Sequence, residues 1–124
     1  KNILHYRYKF FKIKKDKLFG IFKGYKYPYS DRERTIIDVL EYPEYLGGLS
    51  EVMDRIKQVK YNKARLIDYA IKYNSIKIIK LIGMLTDSNK LFSLLRKRKA
   101  LSYYTTIRKT RTKFLDKKWK LRLI

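Results

Sequence analysis

Residues 29–53 read YSDRERTIIDVLEYPEYLGGLSEVM. Ser30 is followed three residues later by Glu33, the spacing of a capping box. In that device the Ser30 hydroxyl accepts from the Glu33 amide while the Glu33 carboxylate reaches back to the Ser30 amide. Asp31 adds negative charge at the positive end of the helix dipole. Ile36, Ile37 and Leu40 fall on one helical face. Pro43 stops the helix at about Glu41 or Tyr42, because the residue before proline avoids the αR region. Gly47-Gly48 permits a sharp reversal, and Leu49, Val52, Met53 and Ile56 share one face of a second helix. The stretch predicts a helix, a corner and a helix.

Toward the N-terminus the period changes from helical to two. Residues 2–14, NILHYRYKFFKIK, alternate, with Leu4, Tyr6, Tyr8 and Phe10 on one side and His5, Arg7 and Lys9 on the other. That pattern predicts a half-buried strand, with a β-bulge at Phe10-Phe11 where the phase flips. Lys14 to Lys17 reads as a turn. Leu18–Phe22 and Tyr25–Tyr29 read as short strands, joined through Lys23-Gly24. Toward the C-terminus, Asn62 is placed to cap a helix over 63–73 and Ser75 one over 76–86. In the latter only Lys77 and Lys80 are clearly polar, so it should be the most buried helix. Asp87 or Ser88 caps a short fifth helix through Leu91, Leu94 and Leu95. Tyr103 to Ile107 has strong β preference. Trp119, Leu121 and Leu123 alternate with Lys120 and Arg122, so 118–124 is a strand, expected to return to the N-terminal sheet.

The expected fold is α+β: one domain over 1–124, with strands at about 2–29 and 118–124 and helices at about 31–96. A small antiparallel sheet of the N-terminal strands and the C-terminal strand packs against about five short helices. At 124 residues the chain can bury a real core. There is no cysteine, which excludes disulfides and thiolate metal sites and fits a reducing cytoplasm. The longest run without a charged residue is Ala100–Ile107, far short of a membrane span.

The net charge is +21. Residues 31–54 hold seven of the eleven acidic residues and only two basic ones, so an acidic island sits in a basic chain. A charge this large is usually offset by a polyanion, and nucleic acid, DNA before RNA, is the expected partner. Residues 96–124 hold twelve Lys or Arg against one acid, Asp116. Within them Arg96, Lys97, Arg98, Lys99, Arg108, Lys109, Arg111 and Lys113 are the candidate phosphate contacts. Tyr103 and Tyr104 are placed to hydrogen-bond the backbone or stack on a base. The competing reading is a solvated segment whose lysines protect a sheet edge.

Catalytic signatures are nearly absent. The one histidine, His5, has no cysteine to join it, so neither a triad nor a zinc site is expected, and no cofactor is implied. Asp31, Glu33 and Asp38 are accounted for by capping and by an intrahelical pair of Asp38 with Arg34. Gly47-Gly48 precedes a helix, but Glu44 and Glu51 flank it and disfavour a phosphate. The helices at 63–73 and 76–86 are separated by a short turn, yet the second is too aliphatic to read base edges.

The pattern S-D-x-E-R-T-I-I-D followed by P-E-Y-x-G-G-L-S-E-V resembles the C-terminal domain of AbiEi-type antitoxins, transcriptional regulators of abortive-infection toxin–antitoxin operons. The resemblance continues through Leu66-Ile67-Asp68-Tyr69-Ala70, Lys80-Leu81-Ile82-Gly83 and Lys118-Trp119-Lys120-Leu121, over roughly residues 8 to 124. It implies a structural role for Ser30, Asp31, Glu33, Arg34, Thr35, Asp38, Gly47 and Gly48. It also implies operon repression and counteraction of a nucleotidyltransferase-type toxin, by contact or only functionally. Members of that family carry an N-terminal winged helix-turn-helix. No such pattern is present here, so the chain is expected to be a fragment or a stand-alone C-terminal domain. Two further readings stay open. One is a general DNA- or RNA-binding module. The other is a protein-interaction domain that docks a basic partner through Asp31, Glu41, Glu44, Glu51 and Asp54.

Overall fold

The computed structural model describes residues 2–3, 6–7, 17, 19–23, 28–108, 110 and 113–124. Its elements run β1 (Asn2–Ile3), β2 (Tyr6–Arg7), β3 (Ile21–Lys23), β4 (Pro28–Ser30), α1 (Arg32–Glu41), α2 (Leu49–Lys57), α3 (Lys63–Tyr73), α4 (Ile76–Thr86), α5 (Asn89–Lys97), β5 (Thr105–Ile107), β6 (Phe114–Asp116) and β7 (Leu121–Leu123). The α+β class is as expected, and so are the five helices.

Helix starts follow the expected caps with one exception. Asn62 Oδ1 accepts from the Arg65 amide at 3.0 Å, and Ser88 Oγ accepts from the Leu91 amide at 3.2 Å. Asn74 and Asp87 end α3 and α4 in the left-handed region, where their short side chains are tolerated. The exception is the capping box of α1, which does not form. Asp31 is the cap, its Oδ1 accepting from the Arg34 amide at 2.7 Å, while Ser30 Oγ pairs with Thr35 Oγ1 at 2.7 Å. An ionised carboxylate outcompetes a hydroxyl for those amides, and Glu33 is drawn away. It is buried, accepting from the Asn62 amide at 3.2 Å and pairing with Arg65 at 3.3 Å. The corner is as read: a 3-10 turn at Pro43–Leu46, then Gly47 and Gly48 at φ of 93° and 102°.

The core lies among the helices. Helix α4 is central, burying Ile78, Ile79, Leu81 and Ile82 against α3, α5 and α1. Each such aliphatic side chain contributes roughly 1.5–3 kcal/mol on burial. Trp119 packs edge-on to Phe92, ring centroids 5.3 Å apart, and sits over Gly83. A Cβ on Gly83 would stand 2.4 Å from Trp119 Cζ3. Residues 80–83 and 118–121 thus meet in space.

The strand partners differ from the expectation. β7 does not join the N-terminal strands. It is the centre of its own three-stranded mixed sheet, order β5-β7-β6, parallel to β5 and antiparallel to β6. The parallel pair is allowed because residues 108–120 form the connection, long enough for a crossover. The described N-terminal strands pair with each other, β1 with β2 and β3 with β4. Asn2–Ile3 pairs antiparallel with Tyr6–Arg7, Asn2 opposite Arg7, and the remainder of the strand expected over 2–14 lies outside the described residues. The bulge at Phe10-Phe11 and the glycine of Lys23-Gly24 lie outside the described residues.

Lys80 corrects the reading of α4. It is fully buried, not a polar exit from an apolar helix. Its ammonium donates to Thr105 Oγ1 at 2.8 Å, to the Tyr103 carbonyl at 3.0 Å and to the Lys120 carbonyl at 3.2 Å. The Tyr103 ring centroid lies 4.7 Å from Nζ. Burial, with a smaller push from the Lys120 charge, lowers the amine to about 8.

Two outcomes follow. Gly→Ala inside a helix ordinarily stabilises by up to about 1 kcal/mol. Gly83→Ala should reverse that sign and cost roughly 1–3 kcal/mol, because Trp119 cannot move aside without leaving the core; urea unfolding followed by Trp119 fluorescence reads it. The second concerns pH. Lys80 keeps its proton to higher pH in the unfolded chain than in the folded one, so stability must rise with pH from about 8 to the ordinary lysine value. Lys80→Met should lack that rise, the two curves diverging by on the order of 3 kcal/mol across the window. Parallel curves between pH 7 and 10.5 would show that Lys80 carries no such linkage.

Candidate nucleic-acid interface

The outer face of the β5-β7-β6 sheet is set by strand alternation. Leu121 and Leu123 are buried on the inner side, so Arg122 between them is exposed on the outer. Register puts Thr106 on one side of Arg122 and Leu115 on the other. Tyr104, two residues before Thr106, lies on the same side. Its ring carries Lys120 Nζ at 4.9 Å and the Arg122 guanidinium carbon at 5.4 Å from the centroid. Lys113 and Lys117 flank β6 and are exposed. The one acid in this segment, Asp116, is turned into the structure, where Oδ1 accepts from the Trp119 amide at 2.8 Å.

The structure does not bring the sequence-derived candidates to one place. Arg96, Lys97, Arg98 and Lys99 are exposed in the last turn of α5 and just after it, where cations complement the negative end of the helix dipole. Arg98 is also spent on Asn74 Oδ1 at 2.6 Å. Tyr104 is brought to Lys120 and Arg122. Tyr103 is half exposed, but Lys80 approaches its ring. Arg108 is exposed and lines a cleft with Pro43, Glu44, Gly48 and Leu49, so the glycine corner and the basic segment meet. Lys109 and Arg111 lie outside the described residues.

Lys117, Lys120 and Arg122 were absent from the sequence-derived candidates. The signal for Lys120 and Arg122 was the alternation of Trp119-Lys120-Leu121-Arg122-Leu123, whose apolar half defines the strand and whose polar half defines a face. Among the described residues Lys117, Lys120 and Arg122 have no acidic partner. The ion pairs formed there are Arg34–Asp38, Arg55–Glu51, Arg65–Glu33, Lys77–Glu41, Lys90–Asp68 and Lys118–Asp87.

Those pairs also absorb most of the acidic island. Asp31 caps α1 and accepts from the Tyr69 hydroxyl at 2.5 Å, a bond that raises the phenol's pKa. Arg34 is buried, donating to Asp38 at 3.1 Å and to the Lys17 carbonyl, with the Phe19 ring 4.7 Å away. Burial raises Asp38 above the usual carboxylate range, and Arg34 opposes that shift. Of the residues proposed to dock a basic partner, Asp31, Glu41 and Glu51 already have internal partners; Glu44 and Asp54 are exposed. The motif residues Ser30, Asp31, Glu33, Arg34, Thr35, Asp38, Gly47 and Gly48 all have structural work to do. No described helix is long and apolar enough to cross a membrane. No protein-family model, no curated protein and no solved structure matches the chain.

Proposed function

We propose that this is a non-catalytic, DNA-associated regulatory domain that holds a duplex by its phosphates on the β5-β7-β6 face. The observation that supports this reading is the cluster of Arg122, Lys120, Lys113 and Lys117 around that face, whose only neighbouring acid in sequence is turned inward. Arg122 and Lys120 are held over one ring, which limits their freedom before a phosphate arrives. The Thr106 and Tyr104 hydroxyls add donors at the same level. Such contacts position a duplex and do not read its sequence.

The resemblance to AbiEi-type antitoxins supplies the biological setting of the proposal: cytoplasmic repression of a toxin–antitoxin operon and counteraction of a nucleotidyltransferase-type toxin. In that setting this domain anchors the regulator on DNA, and base reading belongs to other surfaces.

Gel-shift titration on duplex DNA from upstream of the gene, against a shuffled duplex, tests this directly. If six to ten phosphates are contacted, affinity should fall by roughly 10³–10⁵ between 50 and 200 mM salt. Lys120→Glu with Arg122→Glu should remove about two units from the log–log salt slope, whereas Arg96→Glu with Lys97→Glu should change it less. Equal losses from both pairs would spread the anchor over the whole basic segment. Absence of binding at low salt would overturn the nucleic-acid reading.

A further inference from the structure

Helices α1 and α2 enclose a second surface that shares no residue with the basic sheet. It is a groove of 390 Å³. Ile36, Val39, Val52 and Ile56 form its floor. Leu46 and Val59 form its lips, 50% and 45% exposed. Aliphatic side chains left this open beside a cleft mark a contact surface. Among the described residues no Asp or Glu lines the groove, and its charged lining residues are Arg32 and Arg55.

The chemistry of the lining narrows the occupant. An aliphatic floor suits neither phosphates nor bases. A small molecule filling the cleft would leave the exposed lips uncovered. The long walls are helices whose backbone amides are already used, so no strand can be added there. What remains is recognition by side chains, as when an amphipathic helix lays its apolar stripe into a groove. Charge then sets the sign of the partner. Arg32 donates to the Lys60 carbonyl at 2.6 Å, and among the described residues no carboxylate forms an ion pair with it. Arg55 has one exposed partner, Glu51 at 3.1 Å, a pair worth little. A chain of net charge +21 attracts anionic partners and repels a second copy of itself.

We propose that the α1–α2 groove docks an amphipathic helix from an acidic partner protein, its apolar stripe on Ile36, Val39, Val52 and Ile56 and its carboxylates beside Arg32 and Arg55. One of the alternative readings of the sequence has the opposite sign, with residues 31–54 as an acidic surface for a basic partner. Folding turns most of those acids inward or into pairs and leaves arginines at the groove.

The test uses the full chain and a fluorescent helical peptide with leucines spaced i, i+3, i+4, i+7 and glutamates on both flanks. A scrambled peptide of the same composition controls for net charge, and a lysine-flanked peptide controls for its sign. Fluorescence anisotropy should show the ordered acidic peptide binding about tenfold tighter than the scrambled one, a margin that survives added salt. Val59→Asp, at an exposed lip, should abolish that margin while leaving the circular dichroism spectrum and DNA binding unchanged. Arg55→Glu should weaken the acidic peptide and favour the lysine-flanked one. Equal binding of ordered and scrambled peptides, or a margin that survives Val59→Asp, would overturn the proposal. So would self-association by sedimentation that Val59→Asp removes, which would give the groove to a second copy. Because DNA binding is read in parallel, failure here and failure of the duplex anchor are separate results.

Discussion

The C-terminal third of the fold depends on one buried ammonium. Lys80 sits on an otherwise aliphatic helix, and an amine placed there must find acceptors or lose its charge. It finds Thr105 Oγ1 and the carbonyls of Tyr103 and Lys120. Those groups belong to β5, to Tyr103 two residues before it and to the residue just before β7, so satisfying one cation fixes the approach of both parallel strands to α4. Lys120 adopts a positive φ of 54°, a conformation that costs a non-glycine residue energy. The hydrogen bond from Lys80 to its carbonyl helps to offset that cost. Gly83, one turn further along α4, then supplies the notch into which Trp119 drops. The sheet is held by a polar clamp at one end and an aromatic key at the other.

Arg34 performs the matching task on the other side of the helical core. It is buried, yet its partners are distributed: Asp38 one turn on, the Lys17 carbonyl, and the rings of Phe19 and Tyr73. Close by, Gly20 packs where a Cβ would meet Tyr69 Cε2 at 2.8 Å and Arg34 Cβ at 2.9 Å. The Gly20 carbonyl accepts from the Asp31 amide at 2.8 Å. The segment entering β3 is therefore pinned to α1 and α3 through cations, rings and one close backbone approach. Truncating Lys80 would take this donor from the Tyr103 carbonyl, while the Lys120 carbonyl keeps the Thr105 amide, and truncating Arg34 would take its donors from Asp38 and the Lys17 carbonyl, so both sites are more sensitive to loss of a partner than their net energies suggest.

What was legible in the sequence follows the range of each interaction. Asn62, Ser75 and Ser88 cap helices where they were expected to, because a cap bonds to amides two or three residues away. The corner at Pro43 to Gly48 was equally local. Failures came where a distant partner won. Glu33 has the spacing for a capping box, but Asn62 and Arg65, about thirty residues on, offer a charged and partly buried alternative. Lys80 read as solvated because an isolated helix cannot show the carbonyls that will cover it. β7 was assigned to the wrong sheet because its partners, β5 and β6, are three residues each and one follows a run that reads as a basic loop. The candidate interface shows the same limit: charge runs mark where cations are dense along the chain, at the end of α5, but that Lys120 and Arg122 share the Tyr104 ring depends on how distant strands pair.

The two surfaces of the molecule differ in what they ask of a partner, and the difference comes from how the fold spends its few acids. Acids concentrated in residues 31–54 fall on α1, α2 and the turn between them, and most are consumed by capping or ion pairs. In residues 96–124 Lys118 pairs with Asp87 and Arg108 shares a cleft with Glu44, but Lys120 and Arg122 have no acidic partner among the described residues, so the sheet face keeps its charge. The α1–α2 groove is apolar within and positive at its margin, so it suits a folded amphipathic partner. Lys80 links the first of these surfaces to the core. It lies beneath β5 and feels the charge of Lys120, whose side chain shares the outer face with Arg122. A phosphate that screened Lys120 from above would favour the protonated amine below.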